Sequence, residues 1–178
     1  MVVAGIFVGG RGLRMGGVRK ETLRAPSGET LHERWRAIFA SLGMEAIDVG
    51  GSGLVDEGRD AGPLGGVAAL LAWAGKREAI TVACDMPFVT EAMIARLMQA
   101  PVKRVVAARR EGRWEPFFAK WHPSALPTVR ANVARGALSL QRTIDEVGGE
   151  EFALDREDSQ RLFDWDEPGD VLRTPGSP

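Results

Sequence analysis

The chain has 178 residues, with 23 Lys and Arg against 24 Asp and Glu, a formal net charge of -1, 44% hydrophobic residues, 22 Gly, one Cys and no Tyr. That length fits one domain able to bury a core without staples, and the near-zero charge argues against nucleic acid or a membrane surface as a generic partner. The lone Cys84 forms no disulfide within the chain, so a cytoplasmic location is the default.

The run from Val2 to Val8 is short, follows no basic stretch and leads into glycines, so it reads as a first strand and not a signal peptide. No segment approaches the roughly 20 consecutive apolar residues of a membrane-spanning helix. A glycine-rich loop follows over residues 9–17. From Thr30 to Gly43, Leu31, Trp35, Ile38, Phe39 and Leu42 recur at helical spacing, with Thr30 and Glu33 as a capping box and Gly43 as a stop. A second strand is expected within Met44 to Val49. Pro63 then opens an almost wholly apolar helix through Trp73, closed by Gly75.

Ala79 to Ala83 reads as a third strand, and Thr90 caps a helix whose Met93, Ile94, Leu97 and Met98 share a face. From Val102 the pattern changes: VVAARR, a Glu111-Gly112 turn and RWEPFFAKW read as a hairpin that introduces antiparallel geometry. Helical patterns return at Thr128 to Ala134 and Leu140 to Val147, followed by a short strand near Phe152. This alternation predicts a three-layer α/β/α domain with a mostly parallel mixed sheet over residues 1–173, and a tail at 174–178 with little to pack. In such sheets ligands sit beyond the carboxyl ends of the strands, where the loops at 9–20, 56–66 and 85–88 are expected to converge.

Three of those loops carry candidate chemistry. In GGRGLRMGGVRK, residues 9–20, the glycines let backbone N–H groups approach an anion while Arg14 and Lys20 supply charge. The segment fits neither the P-loop nor the dinucleotide-binding template, and a glycine loop with two solvated cations is the lesser alternative to a phosphate cradle. Asp85, in ACDMPF at a strand tip, suits Mg²⁺, which takes one or two carboxylates plus phosphates, or serves as a turn residue before Pro87. In DEGRDAGPLGG, residues 56–66, a helix N-terminus favours a phosphate or sugar hydroxyl, or the glycines serve close packing on the sheet.

Further along, DWDEP places Asp164 and Asp166 on one side of an extended strand, as metal ligands or a solvated turn. The cations Lys103, Arg104, Arg109, Arg110 and Arg113 read first as a solvated hairpin face and second as a contact for an anionic substrate. Cys84 and the two histidines, His32 and His122, build no zinc site, and Ser52 in GGSGL misses the nucleophile-elbow pattern.

The order and spacing of GGRGLRMGGVRK, D-x5-GPLGG and CDMPF resemble the molybdenum cofactor guanylyltransferases. The resemblance continues through EPFFAKW, GALSL and FDWDEPGDV, nearly the whole chain. It implies a Rossmann-like nucleotidyltransferase fold that transfers GMP from GTP to the phosphate of molybdopterin or molybdenum-molybdopterin. Pyrophosphate is released, Mg²⁺ is the metal, and proteins that accept the finished cofactor are possible partners. It assigns the nucleotide loop to Gly9, Gly10, Gly12, Arg14, Gly16 and Lys20, and a nucleotide-side carboxylate to Asp56. A second glycine loop falls at Gly62, Pro63 and Gly65, and the metal-binding carboxylate at Asp85, with Arg14, Lys20 and Asp85 as the catalytic set.

Two stretches depart from the family pattern. Arg19 stands where an acidic residue is usual, and Asp164, Asp166, Glu167 and Gly169 replace Asn, Asn, Thr and Glu. An ionised Asp only accepts hydrogen bonds. These residues therefore either repel the pterin phosphate or supply a second metal ligand in Asp166. A cytidylyl or sugar-phosphate nucleotidyltransferase is the nearer alternative, and a non-catalytic nucleotide-binding subunit the farther one.

Overall fold

The structure is a computed structural model that describes residues 1–8, 22–25, 27–165 and 170. The expectations for Gly9, Gly10, Gly12, Arg14, Gly16, Lys20, Asp166 and the 174–178 tail lie outside the described residues.

Strand β1 (Val2–Phe7) pairs in parallel with β2 (Glu45–Val49) on one side and β3 (Glu78–Ala83) on the other. A central strand covered on both faces needs apolar residues at every position, which is why VVAGIF does not alternate. Strands β4 (Val105–Arg110) and β5 (Arg113–Trp121) form the expected hairpin. Its two turn residues, Glu111 and Gly112, both have positive φ, 51° and 77°, as a tight two-residue hairpin turn requires. β5 also pairs antiparallel with β3, and the short β6 (Glu150–Phe152) lies parallel to β4. The order is β2-β1-β3-β5-β4-β6. Only β5 opposes the others, so the carboxyl ends of five strands and the start of β5 share one edge.

Helix α1 (Leu31–Ser41) begins at the Thr30–Glu33 capping box and buries Leu31, Trp35, Ile38 and Phe39. Helix α2 (Gly62–Ala74) is almost wholly buried from Leu64 onward and ends at Gly75, with φ 66°. Thr90 caps α3 (Glu91–Gln99), which buries Met93, Ile94 and Leu97. Helices α4 (Leu126–Ala134) and α5 (Leu140–Val147) follow a short 3-10 turn at Pro123–Ala125. The helix α6 (Arg156–Arg161), started by the Asp155 cap on Asp158, has no buried residue, so no apolar periodicity announces it.

One core joins α1, α3, Leu162 and Trp165 to Ala4, Ile6, Ile80 and Val82 of the sheet. The other joins α2, α4 and α5 to Val3, Ala79 and Trp121. Alternate strand residues thus feed opposite faces, and the arrangement has three layers, α/β/α. Lys120 is buried at the edge far from the strand carboxyl ends, donating to the Met98 and Ala100 carbonyls and pairing with Glu78. Among the described residues no helix is long and apolar enough to cross a membrane.

Candidate active site

Asp85 takes its place from the side chains around it. The Cys84 N–H donates to the Phe7 carbonyl at 3.1 Å, extending the β1–β3 pairing one residue beyond the strand. Cys84, Met86, Phe88 and Val89 are all buried, whereas Asp85 is half-buried in the turn that follows. The chain returns over this turn near its C-terminus: the Trp165 N–H donates to the Asp85 carbonyl at 2.9 Å, and the Phe88 and Trp165 rings meet edge-on at 6.0 Å.

The Asp56 loop reaches the same edge from the other side of β1. A Cβ on Gly66 would lie 2.7 Å from Phe7, 2.8 Å from Val49 and 3.2 Å from Asp56 Oδ1, so the ends of β1 and β2 meet the Asp56 carboxylate there. A Cβ on Gly65 would lie 2.6 Å from the Glu57 carbonyl oxygen. Gly65 and Gly66 are therefore packing glycines, buried under the loop, whereas Gly62 stands at φ 57° with open space around it. Gly62 and Pro63 are exposed at the start of α2, and no side chain caps that N-terminus. Its first-turn N–H groups give a partial positive charge suited to an anion. Burial raises the Asp56 carboxyl above its ordinary range.

Helix α4 holds this loop in place. Arg130 donates from Nε and Nη2 to the two oxygens of Glu57 at 2.7 and 2.6 Å. That hydrogen bonding outweighs burial and keeps the Glu57 carboxyl below its ordinary range.

The hairpin cations divide between the two edges of the sheet. Lys103 pairs with Glu150 at 2.9 Å, and Arg104 donates to the Ser124 carbonyl at 3.4 Å, both away from the strand carboxyl ends. At the carboxyl edge, Arg109 covers the Trp114 ring at 4.1 Å, and Arg110 donates to Glu115 Oε1 at 2.8 Å with Asp164 Oδ1 at 3.9 Å. Glu115 is the residue that reading the sequence missed. Its one signal is an acidic residue in the strand RWEPFFAKW, whose other charges, Arg113 and Lys120, are basic. Burial raises the Glu115 carboxyl, with Arg110 pulling it back down.

Several other residues are structural. Trp121 is fully buried and donates to Thr81 Oγ1 at 3.2 Å, and Trp114 donates to Asp145 at 2.7 Å. His32 joins α1 to β2 through Asp48, at 3.0 and 3.1 Å, and His122 caps the 3-10 turn through the Ser124 N–H. Among the described residues no cluster of three or more His, Cys, Asp or Glu is placed to hold a metal. A Mg²⁺ bound mainly by phosphates and water asks less of the protein, and the half-buried carboxylate of Asp85 fits that demand.

The model of the MobA-like NTP transferase domain family matches residues 4–149. The chain belongs to that family. Its named relatives include the molybdenum cofactor guanylyltransferase of Pseudomonas putida, 32% identical over 179 residues, covering 92% of this chain and 92% of the relative. Two solved structures share the fold. Molybdopterin-guanine dinucleotide biosynthesis protein A from Archaeoglobus fulgidus aligns with a TM-score of 0.67 at 19% identity, over 97% of this chain and 95% of its own. The 2-C-methyl-D-erythritol 4-phosphate cytidylyltransferase of Thermus thermophilus aligns with a TM-score of 0.62 at 18% identity, over 97% of this chain and 96% of its own. As a member of the MobA-like family, the chain is a nucleotidyltransferase with a six-stranded mixed sheet between helices.

Proposed function

We propose that the chain is a Mg²⁺-dependent molybdenum cofactor guanylyltransferase of the cytoplasm, with residues 1–173 as its catalytic domain. It moves GMP from GTP to the phosphate of molybdenum-bound molybdopterin. The observation that carries this reading is the flanking of the β1 end by the Asp56 loop and the Asp85 turn. It is from this end that the glycine segment 9–20 continues in sequence.

In the proposed mechanism an oxygen of the acceptor phosphate forms a bond to the α-phosphorus of GTP. The bond from that phosphorus to the β-phosphate oxygen breaks, and pyrophosphate leaves with the electron pair. A phosphate monoester is already an anionic nucleophile at neutral pH, so the chemistry asks for positioning and charge stabilisation and not for a protein nucleophile. Asp85 would hold Mg²⁺, which when bound draws charge from the phosphate oxygens. Arg14 and Lys20 stabilise the leaving pyrophosphate, and Gly9, Gly10, Gly12 and Gly16 admit their backbone N–H groups to the triphosphate. Asp56, with Gly62 and Pro63 at the uncapped start of α2, meets the nucleoside side, and Gly65 lets the Asp56 loop lie close enough to do so. Asp166 is the candidate for a second metal ligand.

Asp85→Ala should lower pyrophosphate release from GTP with molybdenum-molybdopterin by at least about 10²-fold. Its melting curve should remain cooperative, since the Asp85 contact to Trp165 uses backbone atoms. Near-normal turnover by a folded Asp85→Ala protein would remove the carboxylate from the mechanism.

A further inference from the structure

Resting on the guanylyltransferase reading, we propose that Arg110 receives the phosphate of the acceptor, and that Asp164 faces its guanidinium until the acceptor displaces it. The Asp56 loop and the start of α2 lie on the β1–β2 side of Asp85, and Arg110 ends β4 on the other side. An in-line transfer needs nucleotide and acceptor on opposite sides of the reacting phosphorus, which is the division these elements make.

The hairpin turn aims the guanidinium. Arg110 faces Arg113 and Ala108 faces Glu115 across the two-residue turn, and the register shifts only beyond that, between Ala107 and Ala108. Arg110 and Glu115 are therefore diagonal neighbours on one face of the hairpin, and the Glu115 carboxylate accepts from Nε at 2.8 Å. The Glu115 side chain is 19% exposed, whereas that of Arg110 is 32% exposed, so the carboxylate fixes the guanidinium from the inner side. Asp164 Oδ1 lies 3.9 Å from Nη2, too far for a hydrogen bond. Among the described residues the terminal nitrogens thus keep donors for an anion, and a guanidinium fork matches two phosphate oxygens.

Asp164 is tied to the reacting end of the site, because the N–H of the next residue, Trp165, donates to the Asp85 carbonyl at 2.9 Å. A phosphate monoester carries more charge than one carboxylate and three acceptor oxygens, so it outcompetes Asp164 while Glu115 keeps the orientation. Asp164 then opposes weakly charged anions and yields to a phosphate.

The alternative role is a tether, in which Arg110 merely fastens the C-terminal segment to the hairpin. The two roles differ in sign. With GTP and molybdenum-molybdopterin as substrates, Arg110→Gln should raise the acceptor KM about tenfold or more, the loss of a charge-assisted hydrogen bond. The GTP KM should stay unchanged, Arg110→Lys should recover part of the loss, and Asp164→Asn should lower the acceptor KM. A tether makes Arg110→Gln and Asp164→Asn move the acceptor KM in the same direction, with melting temperatures falling together, and that result overturns the proposal. So does an acceptor KM that neither substitution moves.

Calorimetric titration of the same proteins with molybdopterin alone separates this inference from the reading beneath it. Opposite changes in Kd support Arg110 even where GTP gives no product, an outcome in which the GMP-transfer reading fails. Equal affinities in all variants, or no binding by the wild type, overturn the assignment of Arg110.

Discussion

At the residue scale, single carboxylates in this site differ because of what surrounds them. Asp85 stands in a turn between buried Cys84 and Met86, and that contrast of one charge inside an apolar stretch was legible in CDMPF. The pairing of Arg110 with Glu115 follows from the two-residue Glu111-Gly112 turn, which sets Arg110 opposite Arg113 and Ala108 opposite Glu115; it was overlooked because the hairpin cations read first as a solvated face. Glu57 allows a test of the loop clamp by pH. Its carboxyl is held below its ordinary value of 4.5 by the Arg130 hydrogen bonds, so near and below that pH the folded chain binds fewer protons than the unfolded one. The stability it contributes is present above about pH 4.5 and is lost as the pH falls through the depressed value. The melting temperature of Glu57→Gln should therefore lie slightly below wild type at pH 7 and converge with it in acid. A difference that grows on acidification would contradict the clamp.

At the element scale, the start of α2 shows how far a motif can be read. GPLGG admitted either a ligand-facing loop or a close-packed one, and the structure shows close packing at two of its three glycines. Gly62 answers a backbone requirement at φ 57°, and Gly65 and Gly66 answer packing. Sequence could not separate them, since both needs select the same residue type. Gly65→Ala would drive a Cβ against the Glu57 carbonyl at 2.6 Å, an atom of the backbone that can move only with its loop. Overpacking of this kind costs about 1–3 kcal/mol, more than the helix gains from Ala over Gly at about 1 kcal/mol. A lower melting temperature and weaker GTP binding should follow together. Unchanged values for both would show that the loop does not depend on this contact.

The same scale explains which elements were legible. Helix α1 carries a capping box and an apolar stripe, and the β4–β5 hairpin carries a Glu-Gly turn, each a local cause visible in sequence. Helix α6 has a cap but no buried face, so the stripe that normally reveals a helix is missing.

At the scale of the whole molecule, the strand order puts the Asp56 loop and the Arg110 hairpin on opposite sides of Asp85, the division that the proposed transfer asks for. The Asp56 loop follows β2, and the Arg110 hairpin with the returning Asp164–Trp165 segment lies beyond β3. The alternation of elements made the layers and the mostly parallel sheet legible. It could not reveal that the C-terminal segment folds back onto the Asp85 turn, because that return rests on contacts between residues distant in sequence, among them the Trp165–Asp85 backbone hydrogen bond and the Phe88–Trp165 ring contact. The choice of base is also a property of the assembled site, since backbone groups can discriminate guanine from cytosine without a side-chain signature. The decisive measurement is the mass of the product, with stoichiometric pyrophosphate, after the protein is mixed with Mg²⁺, molybdenum-molybdopterin and an equal mixture of GTP and CTP. The guanylyltransferase account predicts a pterin bearing GMP; a pterin bearing CMP, or no nucleotidyl product from folded protein, would contradict it.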